Sequence, residues 1–269
     1  MKRRLLSLVV VVGSALTAAI AACGNARSAA PDAGPDAPPA VDLDRGCIYR
    51  AKLDETAWGA TGKPVGDACG NDLGAITGSA ATPVNDATRG RVGAFSGSAC
   101  IDIANSSALH ATTQLTMSAW IRPTALNGVD SNGIISKRTD RGDASEEYGL
   151  FTWTGNHVWI DLGEIDRFQG AAVLTNNVWT HVAAVYDAAL PDADRVKLYI
   201  NGVRDPLTHV NIGNLSQLPT HDAPLHLGCT PAPKSTTPPT LQTFQGNLDD
   251  IRIWNRALTV DELLALTKT

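Results

Sequence analysis

Apolar and polar residues alternate with a period of two in segment after segment of this chain, and a β-strand is the structure that turns such a row to one face. Gln114–Pro123 reads QLTMSAWIRP: Leu115, Met117, Ala119 and Ile121 share one face, with Thr116, Ser118 and Trp120 on the other. Cys100–Ser106, Gly133–Arg138, Glu147–Trp153, Asn156–Leu162 and Arg195–Gly202 follow the same pattern, separated by turn residues. Val178–Asp187 (VWTHVAAVYD) is largely apolar on both faces, as expected of a strand central to a sandwich. Asn201-Gly202 tolerates the positive φ that both central positions of a type I′ turn require, which marks a hairpin. No segment before Thr259 has a long helical period. Roughly a dozen short strands, punctuated by 24 glycines and 15 prolines, predict an all-β chain: a two-sheet antiparallel β-sandwich of jelly-roll type.

The end of the chain, FQGNLDDIRIWNRALTVDELLALTKT (Phe244–Thr269), adds one helix. Thr259 and Glu262 form a T-x-x-E capping box, and Leu258 and Leu263 stand where a hydrophobic staple needs them. A short C-terminal helix is therefore expected to cover an edge of the sandwich. Before it, strict alternation puts Asp249, Ile251 and Ile253 on one side of a strand, with Asp250, Arg252 and Trp254 on the other. The two adjacent aspartates then face opposite ways and cannot act on one substrate atom. Asp249 falls on the apolar side, where a carboxylate needs a cation or several hydrogen-bond donors.

The beginning of the chain is of another kind. Met1-Lys2-Arg3-Arg4 precedes an apolar run from Leu5 to Ala22, the pattern of a secretory signal. IAAC (Ile20–Cys23) resembles the bacterial lipobox, which implies cleavage before Cys23 and lipid on that residue. Residues 1–22 read as a lipoprotein signal peptide and 23–45 as an Ala/Pro/Asp-rich tether with too little apolar surface to fold. Residues 46–269 read as one domain. The expected location is extracytoplasmic, on a membrane-anchored lipoprotein of the outer membrane or cell surface. Four cysteines remain for an exported domain: Cys47, Cys69, Cys100 and Cys229. Two disulfides have three possible connectivities; Cys47–Cys69 with Cys100–Cys229 is the expected pairing, and the sequence leaves the others open. No C-x-x-C spacing occurs, so the sequence argues against a zinc site. A net charge of −5 lacks the basic footprint of a nucleic-acid binder.

FQGNLDDIRIWNRALTVDEL, together with LTMSAWIRP, NVWTHVAAVYD, VKLYINGV and LHLG in that order, resembles the laminin-G-like jelly-roll domains of the concanavalin A-like lectin/glucanase group. The resemblance spans 46–269 and implies the fold without naming a ligand. It implies structural roles for His181, Trp120 and Trp179. It also implies a structural calcium ion, with Asp249 as one ligand and Asp67 in the early loop GDACGND as another, Asp72 being a weaker choice. The alternative for Asp249 is a set of backbone N–H donors or an arginine.

Glucanases of this group carry E-x-D-x-x-E on one strand, because glycoside hydrolysis needs two carboxyl groups flanking the bond. Here EIDRFQ supplies Glu164 and Asp166 but puts Gln169 where the acid/base belongs, and glutamine cannot exchange a proton in that role. G-x-S-x-G, H-E-x-x-H, P-loop and dinucleotide motifs are missing. The expected function is noncatalytic recognition of a glycan or a protein partner. A glycoside hydrolase-like enzyme and a purely structural envelope lipoprotein are the alternatives. Trp153 and Trp159 flank a hairpin at Thr154-Gly155-Asn156 and are the candidate sugar-stacking pair, packing being the competing role. Long loops at 125–132, 138–146 and 230–243, with Asp140, Arg141 and Asp143, are the other places for binding residues.

Overall fold

A computed structural model describes residues 41–58, 65–73, 75–77, 81–139, 146–163, 166–211, 215–232 and 241–269. The segment read as a signal peptide, Cys23 and most of the segment read as a tether lie outside the described residues, as do Asp140, Arg141, Asp143 and Glu164. Among the described residues no helix is long and apolar enough to cross a membrane.

In chain order the strands are β1 (Cys47–Ala51), β2 (Ala75–Thr77), β3 (Thr82–Asp86), β4 (Gly90–Phe95), β5 (Ile101–Ile103) and β6 (Gln114–Pro123). Then come β7 (Asn132–Lys137), β8 (Tyr148–Trp153), β9 (His157–Leu162), β10 (Asp166–Val173), β11 (Thr180–Asp187) and β12 (Val196–Ile200). The last are β13 (Val203–Asp205), β14 (Leu207–Asn211), β15 (Leu225–Leu227), β16 (Cys229–Pro231), β17 (Leu241–Thr243) and β18 (Gly246–Trp254). Two short α-helices, α1 (Asp192–Arg195) and α2 (Val260–Leu266), accompany them among the described residues. One sheet runs β13-β12-β11-β6-β18-β4-β3, with β1 also paired to β18. The other runs β14-β10-β9-β8-β7-β15-β5-β2, and β17 joins its partner β16 to β7. The predicted sandwich is present, with both expected disulfides, Cys47–Cys69 and Cys100–Cys229.

Alternation builds the core as the sequence requires. Leu115, Met117, Ala119 and Ile121 of β6 meet Val182 and Ala184 of β11 and, across the sandwich, Ile101, Leu150, Val158, Ile160 and Leu227. At roughly 1.5–3 kcal/mol for each large side chain buried, this row outweighs any local preference of its strands. The predicted hairpin is also there, with Asn201 at φ 52 and Gly202 at φ 79.

Three expectations need correction. First, α2 covers a face and not an edge. β18 lies inside its sheet, and Leu258, Leu263 and Leu266 pack on the sheet's outer side against Ala183, Val185, Tyr199 and Trp254. The second apolar face of VWTHVAAVYD is what this helix covers. Second, the folded unit begins at Val41, five residues before the expected boundary. Trp254 Nε1 donates to Leu43 O, and Arg256 donates to Asp42 O and Arg45 O, so the last residues assigned to the tether are pinned to the domain. Third, β18 does not alternate strictly. Asp249 stands opposite Trp120 and Arg252 opposite Ser118, so Asp250 and Ile251 both oppose Ala119 in a β-bulge. Asp250 takes a φ of 45 to make it. Beyond the bulge the alternation is reset, and Asp249 shares the outer face with Arg252 in place of the buried face with Ile253.

The capping box forms as predicted: Thr259 Oγ1 accepts from Glu262 N at 3.3 Å and Glu262 Oε2 accepts from Thr259 N at 2.8 Å. Replacing Thr259 by alanine leaves Glu262 N without its side-chain acceptor. The expected cost is ~1 kcal/mol, read as a lower urea midpoint at unchanged slope.

Candidate functional site

On the second sheet, Leu150 of β8 and Val158, Ile160 and Leu162 of β9 point inward. Their neighbours in sequence therefore point out, and register brings them together: Phe151 opposite Trp159, Gly149 opposite Asp161, Trp159 opposite Gln169 and Asp161 opposite Arg167. The β8–β9 hairpin turns through Gly155 at φ 74 and Asn156 at φ 63. The predicted tryptophan pair is real, with the ring centroids of Trp153 and Trp159 5.0 Å apart, and Phe151 continues the row 6.5 Å from Trp153. Trp159 is buried (5% exposed) and supports the half-buried Trp153 from below.

Beside the aromatic row lies a charge network that the sequence did not announce. Arg167 grips Asp161 with two hydrogen bonds, Nε to Oδ1 at 2.6 Å and Nη2 to Oδ2 at 2.7 Å. These bonds raise the pKa of the Arg167 guanidinium, which also lies 5.6 Å above the Trp153 ring. Arg138 is fully buried. Its Nη1 is 3.1 Å from Glu146 Oε2 and 3.7 Å from Asp161 Oδ2, and its Nε donates to Ser136 Oγ at 2.9 Å. The guanidinium fits because Gly149 lies beneath it: Nη2 comes within 3.0 Å of where a Cβ would stand. Each buried charge has an opposite partner, the condition under which such groups persist away from water. In the sequence, Arg138 is the polar end of an alternating segment and Asp161 an outward residue like any other. Only strand register unites them.

Of the glucanase-like segment, Glu164 lies outside the described residues, and the two described members face opposite ways. Asp166 and Gln169 lie on β10, a strand that the uneven alternation of DRFQGAAV concealed. Asp166 is on the inward side and binds His209 Nε2 at 2.8 Å, whereas Gln169 is on the outer side opposite Trp159. Residues on opposite faces of one strand cannot flank one glycosidic bond.

The adjacent aspartates of β18 behave differently from the alternation forecast. Both line one small cavity of about 160 Å³ on the outer side of the first sheet, with Arg50, Lys52, Asp54, Arg89 and Thr269. Arg89 Nε lies 2.6 Å from Asp249 Oδ2, and its guanidinium stands 4.2 Å over the Trp120 ring. Arg50 Nε is 2.8 Å from Asp250 Oδ1, and Arg252 binds the same carboxylate. Trp120 in turn meets His181 edge-on at 5.3 Å, the sheet-face role the resemblance implied. Asp67 is occupied elsewhere, accepting from Arg50 N, Cys69 N and Asn71 N at 3.0–3.2 Å and so fixing the disulfide loop beneath β1. These residues do not fit calcium. Asp249 already faces a guanidinium, two more stand beside Asp250, and Asp67 answers backbone donors. The arginine alternative is the one the fold adopts.

Residues 95–264 match a laminin-G family profile described as the Concanavalin A-like lectin/glucanases superfamily. No curated protein matches the sequence. Among solved structures, the binding domain of Paraclostridial Mosquitocidal Protein 1 superposes with a TM-score of 0.61 at 15% identity, over 84% of this chain and 52% of that one. The binding domain of Botulinum Neurotoxin DC in complex with SialylT gives 0.60 at 12% identity, over 84% and 52%. Domain 4 of AbnA, a GH43 extracellular arabinanase from Geobacillus stearothermophilus, in complex with arabinotriose, gives 0.55 at 19% identity, over 82% and 98%. The chain thus spans about half the length of the toxin binding domains (52%) and nearly all of the arabinanase domain (98%). At these identities the likeness is one of fold.

The Asp249 site makes a pH prediction. Burial pushes its carboxyl up from 3.8 to about 6, outweighing the downward pull of Arg89. The folded state therefore holds a proton that the unfolded chain has lost, and this group's stabilisation is full below 3.8 and lost as pH rises through 6. His181, held down to about 4 by burial, acts in the opposite direction, so the contribution is isolated by comparison with Asp249→Asn. Between about pH 4 and about pH 7 the wild type should lose up to ~3 kcal/mol relative to that variant in urea unfolding. A stability difference independent of pH would refute the assignment.

Proposed function

Because the chain belongs to the Concanavalin A-like lectin/glucanases superfamily, we propose that the outer face of its second sheet is a noncatalytic glycan-binding surface, carried outside the cytoplasm on a lipid-anchored chain. The observation that carries this reading is the half-buried Trp153 ring, backed at 5.0 Å by buried Trp159. A flat indole held rigid by a second ring matches the apolar C–H face of a pyranose or furanose. Gln169 and the Asp161–Arg167 pair beside it supply the few fixed polar groups that orient hydroxyls. Complexes with SialylT and with arabinotriose among the structural neighbours support a sugar as the ligand of this scaffold. The noncatalytic half of the reading rests on geometry. Asp161 is gripped by Arg167, and Asp166 and Gln169 are on opposite faces.

In a glycan array followed by titration calorimetry, the full chain should retain at least one glycan class. Trp153→Ala should weaken that binding about tenfold or more, ~1.4 kcal/mol, with the thermal melt unchanged. Equal retention by wild type and Trp153→Ala, or release of reducing sugar, would overturn the proposal. The anchor is tested separately by feeding labelled palmitate to expressing cells. Label is expected in the wild-type protein and none in Cys23→Ser; equal label in both, or no label in the wild type, rejects the tether.

A further inference from the structure

The Cys100–Cys229 disulfide has two unusual neighbours. Asp102 on β5 and His226 on β15 are direct cross-strand partners, and both lie between inward-facing residues, so their side chains meet on the outer face of the second sheet. His226 Nδ1 is 2.6 Å from Asp102 Oδ1. Cys100 comes two residues before Asp102 and therefore leans to the same face. Its Sγ lies 3.2 Å from Asp102 Oδ1 and 3.8 Å from His226 Nδ1. Cys229 comes three residues after His226 and by alternation would face the other way. Gly228 prevents that: at φ 71 it separates β15 from β16 and turns Cys229 back to the cluster. A Cβ at Gly228 would stand 2.2 Å from the ring of Phe95, so a side chain has neither the backbone conformation nor the space. The four ligand atoms all lie within 4.8 Å of one another.

We propose that in the reduced protein Cys100, Asp102, His226 and Cys229 form a zinc-type metal site, closed to metal while the disulfide is present. Two thiolates, an imidazole and a carboxylate are ligands that zinc accepts. With bonds of ~2.3 Å to sulfur and ~2.0–2.2 Å to nitrogen or oxygen, its tetrahedral ligand atoms stand roughly 3.3–3.8 Å apart. The two sulfurs, joined to each other in the oxidised chain, have to separate, and the 2.6 Å Asp102–His226 pair has to open by roughly 1 Å. The imidazole is already oriented as a ligand: His226 Nε2 faces Arg138 O at 3.1 Å, and donating there leaves Nδ1 turned to the cluster. Cys100 and Cys229 are buried, while the Asp102 side chain is 47% exposed and leaves one side open to ions.

The gate is thiol–disulfide exchange with a dithiol reductant. A thiolate of the reductant attacks one sulfur of the Cys100–Cys229 bond, and its second thiol resolves the mixed disulfide. Two electrons pass to the protein, leaving two protein thiols and the reductant's own disulfide. Zn²⁺ then displaces both thiol protons without changing its oxidation state.

The test uses the full chain carrying Cys23→Ser, Cys47→Ser and Cys69→Ser, in which Cys100 and Cys229 are the remaining thiols. Reduced with a phosphine, stripped by chelation and titrated with Co²⁺ without oxygen, it should develop thiolate-to-cobalt charge-transfer bands and a tetrahedral d–d spectrum, both abolished by Zn²⁺. His226→Ala should weaken the binding about tenfold or more, and the oxidised chain should show no bands. Bands that fail to appear, that ignore His226→Ala, or that persist in the oxidised chain each overturn the site. If the reduced apo chain loses its near-ultraviolet circular dichroism, Zn²⁺ must restore it, and must fail to do so in His226→Ala. Any other pattern likewise refutes the proposal.

Discussion

The inward row of β6 has to be covered, and much of the molecule follows from how that is done. Leu115, Met117, Ala119 and Ile121 lock β11 and β18 into register on either side, since a slip by one residue would turn a whole row to the wrong face. The outward row is then fixed as well. Thr116 Oγ1 donates to Arg256 O and accepts from Leu258 N, which sets the chain's approach to α2. Two residues further, Ser118 stands opposite Arg252, and two further still Trp120 lies beneath Arg89. One buried face thus decides where the helix docks and where the arginine–aspartate cluster collects.

What the sequence reveals about this fold is what depends on neighbouring residues. The strands of β6, β8, β9, β11 and β12, the Asn201-Gly202 turn and the Thr259–Glu262 box are local patterns, and each is in the structure. The bulge in β18 is not local. Asp249, Asp250 and Ile251 alternate as well as any strand, and only pairing with Trp120 and Ser118 shows one residue too many. The position of α2 is hidden for the same reason: a capped amphipathic helix declares that it has an apolar side without declaring what covers it. The tether boundary failed differently. The backbone carbonyls of Asp42, Leu43 and Arg45 are bound by side chains more than two hundred residues away, so the composition of that segment says nothing of its order.

The candidate site divides along the same line. Two tryptophans flanking a turn are visible in the sequence as a pair. Which of them is half-buried and which is a support emerges only with the layers above and below. Arg138, Glu146, Asp161 and Arg167 come from four segments, and Gly149 matters through the side chain it lacks. A network of buried opposite charges gives little net stability compared with apolar packing, but it leaves few alternative arrangements once formed. The aromatic row is therefore held on a stiff polar bed, and its shape is set before anything binds.

The two disulfides also differ in what they do to the unfolded chain. Cys47 and Cys69 are 22 residues apart, whereas Cys100 and Cys229 are 129 apart, enclosing every strand from β5 to β15. In the chain-entropy account the shorter ring restrains the denatured ensemble by about 3 kcal/mol and the longer by about 5 kcal/mol. The long ring is the domain's main topological constraint: with it closed, the middle of the sandwich keeps its ends tied. A metal ion shared by the same two sulfurs would tie the same knot. Oxidised and metal-loaded chains would then be equivalent as rings, and the open form would be the reduced chain without an ion.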